Sequence, residues 1–184
     1  STASILAVFG FKTPNPTFDI LLPIGISFYT FKSLSYTIDV YRSAIPAEGS
    51  WLRYAAFVTF FPQLLAGPIV RAGRLLPQLH ALPTPHWRSF LSGMQLVVWG
   101  YFMKCVVADS LLNVVDSHFD VPQNCSSLSL IIAVVLYTFQ IYGDFSGYSL
   151  IAIGLSQILG FEVGKNFDRP YFSQSFSEFW QRWH

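Results

Sequence analysis

The chain has 184 residues, of which 52% are hydrophobic and 17% aromatic, with only 11% charged and a formal net charge of +1. A soluble domain carries about a quarter of its residues as charges, so this balance, with a mean hydropathy of +0.44, argues against an ordinary soluble domain and for an integral membrane protein. The near-neutral charge gives no support to a nucleic-acid partner, and Cys105 and Cys125 form neither a disulfide framework nor a CxxC metal pair.

In chain order, the first residues lack Met and a basic stretch ahead of their apolar residues, so they do not read as a signal peptide. They read as the tail of an earlier span, and the chain as an internal piece of a larger polytopic protein. Ile20 to Phe31 is uncharged and stays apolar past Lys32 to Ile38, which predicts one helix kinked near Pro23 and Gly25. Asp39 and Arg42 follow as interfacial charges. Tyr54 to Val70 is also uncharged, but Pro62, Gly67 and Pro68 interrupt it. That pattern predicts a broken or re-entrant element, tolerated only where protein or water satisfies the freed backbone groups.

Arg71 to Arg88 reads as a polar, proline-rich loop, placed on the cytoplasmic side by its arginines. Ser89 to Met103, continuing past Lys104 to Val107, predicts a span, with Cys105 in it as a small buried hydrophobe. Asp109 to Ser126 reads as an exposed loop. Leu128 to Gly143 is the most apolar stretch, and Phe145 to Phe161 is apolar again. Either one long helix runs past Asp144, or, as the glycines favour, two helices meet at Gly143-Asp144-Phe145-Ser146-Gly147. Asn166 to Tyr171 leaves the membrane, and Ser175 to His184 predicts a short interfacial amphipathic helix. The whole reads as all-α: a polytopic transmembrane helical protein with broken helices and a terminal amphipathic helix.

Three places carry candidate chemistry. In the terminal segment, Phe176, Phe179, Trp180 and Trp183 share one helical face, and Glu178 and Arg182 stand in the favourable i, i+4 ion-pair order. His184 falls at the border of that face, where spacing alone reads it as interfacial. Asp144 is a carboxylate between apolar runs, costly by about 3 kcal/mol at a helix centre. It is either functional or a cap for a helix starting near Ser146. The third place is Phe61 to Arg71, a segment containing Gln63 and ending in Arg71: spacing alone favours a proline-kinked helix with an interfacial arginine, while a broken element would offer backbone groups and a cation to an anionic substrate or coenzyme. His80, His86 and His118 pair with no other ligand at metal-binding spacing, so no metal site is expected.

Beyond spacing, the residues resemble a family. Leu22-Pro23-Ile24-Gly25-Ile26-Ser27-Phe28-Tyr29-Thr30-Phe31 with Tyr36-Thr37-Ile38-Asp39-Val40-Tyr41-Arg42 is similar to the membrane-bound O-acyltransferase (MBOAT) family. The likeness is to its bacterial branch, the membrane subunits of alginate O-acetylation and teichoic-acid D-alanylation. Phe60-Phe61-Pro62-Gln63-Leu64, Ala66-Gly67-Pro68-Ile69-Val70-Arg71, Gln140-Ile141-Tyr142-Gly143-Asp144-Phe145-Ser146-Gly147-Tyr148-Ser149, Asn166-Phe167-Asp168-Arg169-Pro170-Tyr171 and Glu178-Phe179-Trp180-Gln181-Arg182-Trp183-His184 follow in the family's order. Leu150 stands where the family often has an acid, Gly143 where it often has a larger residue, and Gln181 where it often has a base.

The resemblance implies that residues 1–184 are part of an MBOAT-like domain of a multi-pass enzyme in the cell (inner) membrane. Such an enzyme moves an acyl group, here acetyl, from a cytoplasmic thioester toward hydroxyls of an exported cell-surface polysaccharide. The donor, acetyl-CoA or an acyl carrier, is a substrate, and no cofactor is bound. The implied partners are the lipid bilayer and either the polysaccharide or a secreted O-acetyltransferase. His184 maps onto a histidine of the family motif and is the expected catalytic residue, with Asp144, Arg182, Glu178, Arg71 and Gln63 in supporting or positioning roles. A second family histidine is expected beyond residue 184, so residues 1–184 alone are expected to be inactive. The alternatives are D-alanyl transfer to teichoic acid, or a non-catalytic transporter or export scaffold in which Asp144 is a transport carboxylate.

Overall fold

A computed structural model describes residues 25–64 and 67–184. The expected tail of an earlier span, the start of the first span with Pro23, and Leu65 and Ala66 of the broken element lie outside the described residues. The helices are α1 (Ile26–Tyr41), α2 (Trp51–Val58), α3 (Ala72–His80), α4 (Trp87–Tyr101), α5 (Asp109–Phe119), α6 (Ser127–Ile158) and α7 (Phe176–Arg182). A π-helical segment, Phe102–Ala108, joins α4 to α5, and 3-10 turns lie at Phe61–Gln63, Pro122–Asn124 and Pro170–Phe172. No strand occurs among the described residues, as the all-α reading expects.

Among the described residues, two helical rods are long and apolar enough to cross a membrane: Trp87–Phe119, which is α4 to α5 continued through the π turn, and Ser127–Ile158. At about 1.5 Å per residue, the 32 residues of α6 reach some 48 Å, well over the ~30 Å hydrocarbon core. The outer faces of these rods carry exposed Leu128, Ile131, Ile132, Val134 and Val135 on α6 and Val98 and Trp99 on α4. The buried face of α6 is instead small or polar: Ala133, Gln140, Gly143, Ser146, Gly147, Ser149, Ala152, Gly154 and Ser156. This is the arrangement of helices that associate in lipid, where small residues let backbones approach and polar groups turn inward.

That inward face corrects the reading of a break at Gly143 to Gly147, since α6 is one helix through both. The glycines serve approach to α4 instead. A Cβ on Gly100 would meet the Gly147 carbonyl oxygen at 2.6 Å, and one on Gly93 would meet the Gly154 oxygen at 2.6 Å. The two contacts are seven positions apart on each helix, about two turns, so α4 and α6 run antiparallel with their backbones touching at successive points. Asp144 therefore lies in mid-helix and caps nothing.

Three loop assignments also change. Asp109 to Phe119 is helical rather than a loop, because the π turn carries the α4 rod onward and His118 Nδ1 and Ser117 Oγ both bond back to the Val114 carbonyl. Within Arg71 to Arg88, Ala72–His80 forms α3, whose Ala72, Leu75 and Leu76 are buried against Phe57, Phe60, Val70 and Val163. Cys105 is exposed rather than buried, being on the outward side of the π turn. The broken element is present as expected. It runs through α2 and the turn at Phe61–Gln63, and residues 67–70 lead without helix into an extended Arg71. Lys32 of α1 staples it: Nζ donates to the Phe57 carbonyl at 2.6 Å and to Gln63 Oε1 at 3.1 Å, and lies 4.8 Å from the Phe57 ring centre.

Gly147→Ala should lower the thermal midpoint of the detergent-solubilised full-length protein, since overpacking costs about 1–3 kcal/mol. Gly49→Ala, where an added Cβ meets nothing within 4 Å, should leave the midpoint in place. Equal midpoints for the two variants would refute the backbone contact.

Candidate functional site

The site is assembled where α6, the loop after it, α3 and α7 converge. The loop begins with a tight helix stop. Gly160, at φ +87°, follows Leu159; Phe161 N–H donates to the Ser156 carbonyl and Gly160 N–H to the Gln157 carbonyl. This is the Schellman pairing that suits glycine. Gln78 of α3 then grips the loop backbone from both sides. Its Oε1 accepts from Glu162 N–H at 2.8 Å and its Nε2 donates to the Glu162 carbonyl at 3.0 Å. Gly164, at φ +84°, lets Arg74 lie close: a Cβ there would stand 3.0 Å from the Arg74 Nη1.

Beyond that glycine, Asn166 bridges two elements. Its Nδ2 donates to Ser149 Oγ on α6 at 2.5 Å, and its Oδ1 faces His184 Nδ1 at 2.9 Å. Phe167 and Tyr171 then pack into a ring cluster with Tyr142 and Phe145 of α6 and with Phe179 and Trp183. Phe167 meets Trp183 edge-on at 5.1 Å and Phe145 at 5.2 Å. Tyr171 also donates to the Thr138 carbonyl at 2.6 Å. Aromatic pairs of this geometry add about 0.5–1.5 kcal/mol each beyond their buried area, enough to anchor a helix too short to be stable alone.

That helix, α7, has the expected signals. Ser175 Oγ accepts from Glu178 N–H at 3.2 Å, and Glu178 Oε2 accepts from Gln174 N–H at 2.7 Å, a capping-box exchange. Glu178 and Arg182 pair at 2.5 Å. The helix ends at Arg182, whose carbonyl accepts from Asp168 N–H at 3.0 Å. His184 consequently lies outside the helix, at φ +41°, and its place is set by Asn166 and the rings of Phe145, at 4.6 Å, and Phe167, at 6.3 Å. Its position on a helical wheel therefore does not apply. Partial burial pushes the His184 imidazole below its ordinary pKa.

His184 lines a cavity of about 510 Å3 with Arg71, Arg74, Lys165, Asn166 and Gln181. Arg71, Arg74 and Lys165 make no ion pair among the described residues. A second cavity, of about 400 Å3, lies on the other side of Lys165 and Asn166, lined by Trp99, Met103, Tyr142, Ser146, Ser149 and Leu150 among others. Of the residues singled out from sequence, Arg71 and His184 are thus brought to one cavity, and Arg182 and Glu178 hold the helix that delivers His184. Asp144 and Gln63 sit elsewhere. Asp144 pairs with Lys104 at 2.6 Å, and Lys104 also donates to Asp109 at 2.9 Å. Gln63, fully buried, belongs to the Lys32 staple.

Sequence reasoning missed Asn166, Arg74 and Lys165 as site residues. Asn166 opened one of the family-like motifs, and the Gly164-Lys165-Asn166 run after an apolar stretch was the available signal.

The family model described as MBOAT, membrane-bound O-acyltransferase family, matches residues 43–184. The chain is 44% identical over 185 residues to a probable alginate O-acetylase AlgI of Pseudomonas aeruginosa, covering 100% of this chain and 35% of that protein. It is 31% identical over 199 residues to a peptidoglycan O-acetyltransferase of Helicobacter pylori, covering 94% of this chain and 38% of the relative. It is 24% identical over 172 residues to a teichoic acid D-alanyltransferase of Bacillus subtilis, covering 92% and 44%. The chain spans about a third of the length of the first of these relatives.

Lys104→Met should destabilise the full-length protein by about 3 kcal/mol, the scale of an unpaired charge within a span. Lys104→Met with Asp144→Leu should recover most of that loss in thermal denaturation. A double variant as unstable as the single one would show that the Lys104–Asp144 pair is not what holds these charges.

Proposed function

The chain belongs to the membrane-bound O-acyltransferase family, and from that premise we propose that it carries part of an acyl-transfer centre in which His184 is the general base. Its activity is the transfer of an acyl group, acetyl in this reading, from a cytoplasmic thioester to hydroxyls of an exported cell-surface polysaccharide. The 44% identity to an alginate O-acetylase against 24% to a D-alanyltransferase supports acetyl over D-alanyl. The reading places the protein in the cell (inner) membrane as a multi-pass enzyme, with the polymer or a secreted O-acetyltransferase as its partner.

The observation that carries this reading is the His184 imidazole, its pKa lowered by burial, in the wall of a cavity that also holds three cations without ion-pair partners among the described residues. An acceptor hydroxyl gives its proton to the imidazole as its oxygen attacks the thioester carbonyl carbon. The oxyanion collapses, the C–S bond breaks, and the leaving thiolate takes the proton back from the imidazolium. The products are an ester and a free thiol, and the base is regenerated. Arg71, Arg74 and Lys165 suit the phosphate groups of a coenzyme A or carrier-bound donor, since guanidinium forks match phosphate oxygens.

His184→Ala in the full-length protein should abolish polymer O-acylation while leaving membrane expression intact; normal acylation by that variant refutes the role. In the wild type, a base is active only when unprotonated, so the rate falls as pH drops through its pKa. Because burial lowers that pKa, the acidic limb of kcat/KM should lie below about 6.5, the ordinary imidazole value. A limb above that value would place a different group in control. Arg71→Gln with Arg74→Gln should raise KM for the thioester donor at least several-fold with little change in kcat; an unchanged KM removes the cations from donor binding.

A further inference from the structure

A neutral imidazole carries one N–H, and only the other nitrogen can take a proton from a substrate. Which nitrogen is free depends on what faces the ring. In this site Asn166 decides it. The amide has a donor end and an acceptor end, and the donor end is committed to Ser149 Oγ at 2.5 Å. The acceptor, Oδ1, is therefore the end turned toward His184 Nδ1 at 2.9 Å. An acceptor at that distance requires the proton on Nδ1, and this leaves Nε2 with its lone pair.

We propose that Asn166, held in orientation by Ser149, is a positioning residue that locks His184 in the Nδ1–H tautomer and so makes Nε2 the base. The inference rests on the reading of His184 as general base and adds the atom that acts and the residue that selects it. Three features support it. Ser149 is buried on α6, the rigid helix packed on α4, so the amide hangs from a fixed point. Asn166 itself is held on both sides, by the Gln78 grip on Glu162 before it and by the Asp168–Arg182 backbone bond after it. The Phe145 and Phe167 rings pack beside the imidazole, with ring centres 4.6 Å and 6.3 Å away.

The choice of an amide has a consequence. A carboxylate in the same place would also accept from Nδ1–H, but its charge would favour the imidazolium and raise the pKa. The groups facing His184 within its cavity are cationic, Arg71 and Arg74 from the start of α3 and Lys165 from the loop, while on α7 Glu178 and Arg182 neutralise each other. None of these supplies the negative charge that would protonate the ring, so a neutral orienter keeps the base available at neutral pH.

The test uses the full-length membrane protein. Nitrogen-15 spectra of histidine-labelled protein, with the His184 signals assigned by their loss in His184→Gln, should show Nδ1 protonated and Nε2 bare. Asn166→Ala should mix the tautomers and lower kcat by at least about tenfold, with KM for donor and acceptor little changed. Asn166→Asp should retain more activity than Asn166→Ala and move the acidic limb of kcat/KM upward by about one pH unit. A bare Nδ1 in the wild type, or an Asn166→Ala variant with wild-type kcat, overturns the proposal. These failures are separable from that of the base reading, which falls if His184→Ala stays active. The tautomer spectrum of the wild type needs no variant to fold.

Discussion

Gly93 against Gly154 and Gly100 against Gly147 bring the backbones of α4 and α6 into direct contact, with no room for a methyl group between them. In lipid the hydrophobic effect does not drive helices together, because acyl chains are as apolar as leucine. Association then depends on how closely the backbones approach and on which polar groups turn inward. The inward face of α6, on which the site is built, is placed by that contact. It fixes the rotation of α6 about its own axis and so turns Ser146, Ser149 and Gln140 inward while Ile131, Ile132 and Val135 face outward. Lys104 is brought beside Asp144 by the same packing, assisted by the wider π turn in which it sits.

From the fixed face of α6 the site is built outward. Ser149 holds Asn166, Thr138 holds Tyr171, and Tyr142 and Phe145 receive the rings of Phe167 and Trp183. These attachments lie along one helix, so they share its rigidity. The loop between α6 and α7 is irregular in backbone but not loosely held, since Gln78, Ser149 and the Arg182 carbonyl pin it at three points. Non-helical backbone near a membrane is tolerated where protein satisfies its polar groups, and here both a side chain and a neighbouring helix end do so. A side chain just beyond the end of a seven-residue helix is otherwise poorly held, because short helices fray. The ring cluster and the amide contact replace the missing helical constraint.

Charge is distributed to match. The cations Arg71, Arg74 and Lys165 line the His184 cavity without carboxylate partners there, whereas Lys104, Asp109 and Asp144 satisfy one another away from it. Charges that face a polar ligand need no internal partner, while charges along a span must be paired to be tolerated. The same division separates Gln63, buried under Lys32 to hold the broken element, from Arg71 a few residues on, which faces the cavity.

Much of this was legible in the sequence, for local reasons. Composition gave the membrane class, prolines and glycines gave the broken element, and the span from Ser175 gave the start of α7 to within one residue. The Glu178–Arg182 pair followed from spacing, because i, i+4 neighbours meet on any helix. The motifs selected His184 and Arg71 as candidates. What the sequence left open depended on partners distant along the chain. Glycine is both a helix breaker and a helix-contact residue, so Gly143 to Gly147 was ambiguous until α4 was seen lying against it. Asp109 to Phe119 had loop composition, but its helix is continued by the rod before it. Asn166 drew no notice by itself, because an asparagine in a loop is ordinary. Its partners are 17 residues before it and 18 after it, and no periodicity links such positions. The sequence by itself determined the family motifs and the membrane-type composition; only the packing of α6 against α4, with the loop folded back onto α6, decided which atoms face one another.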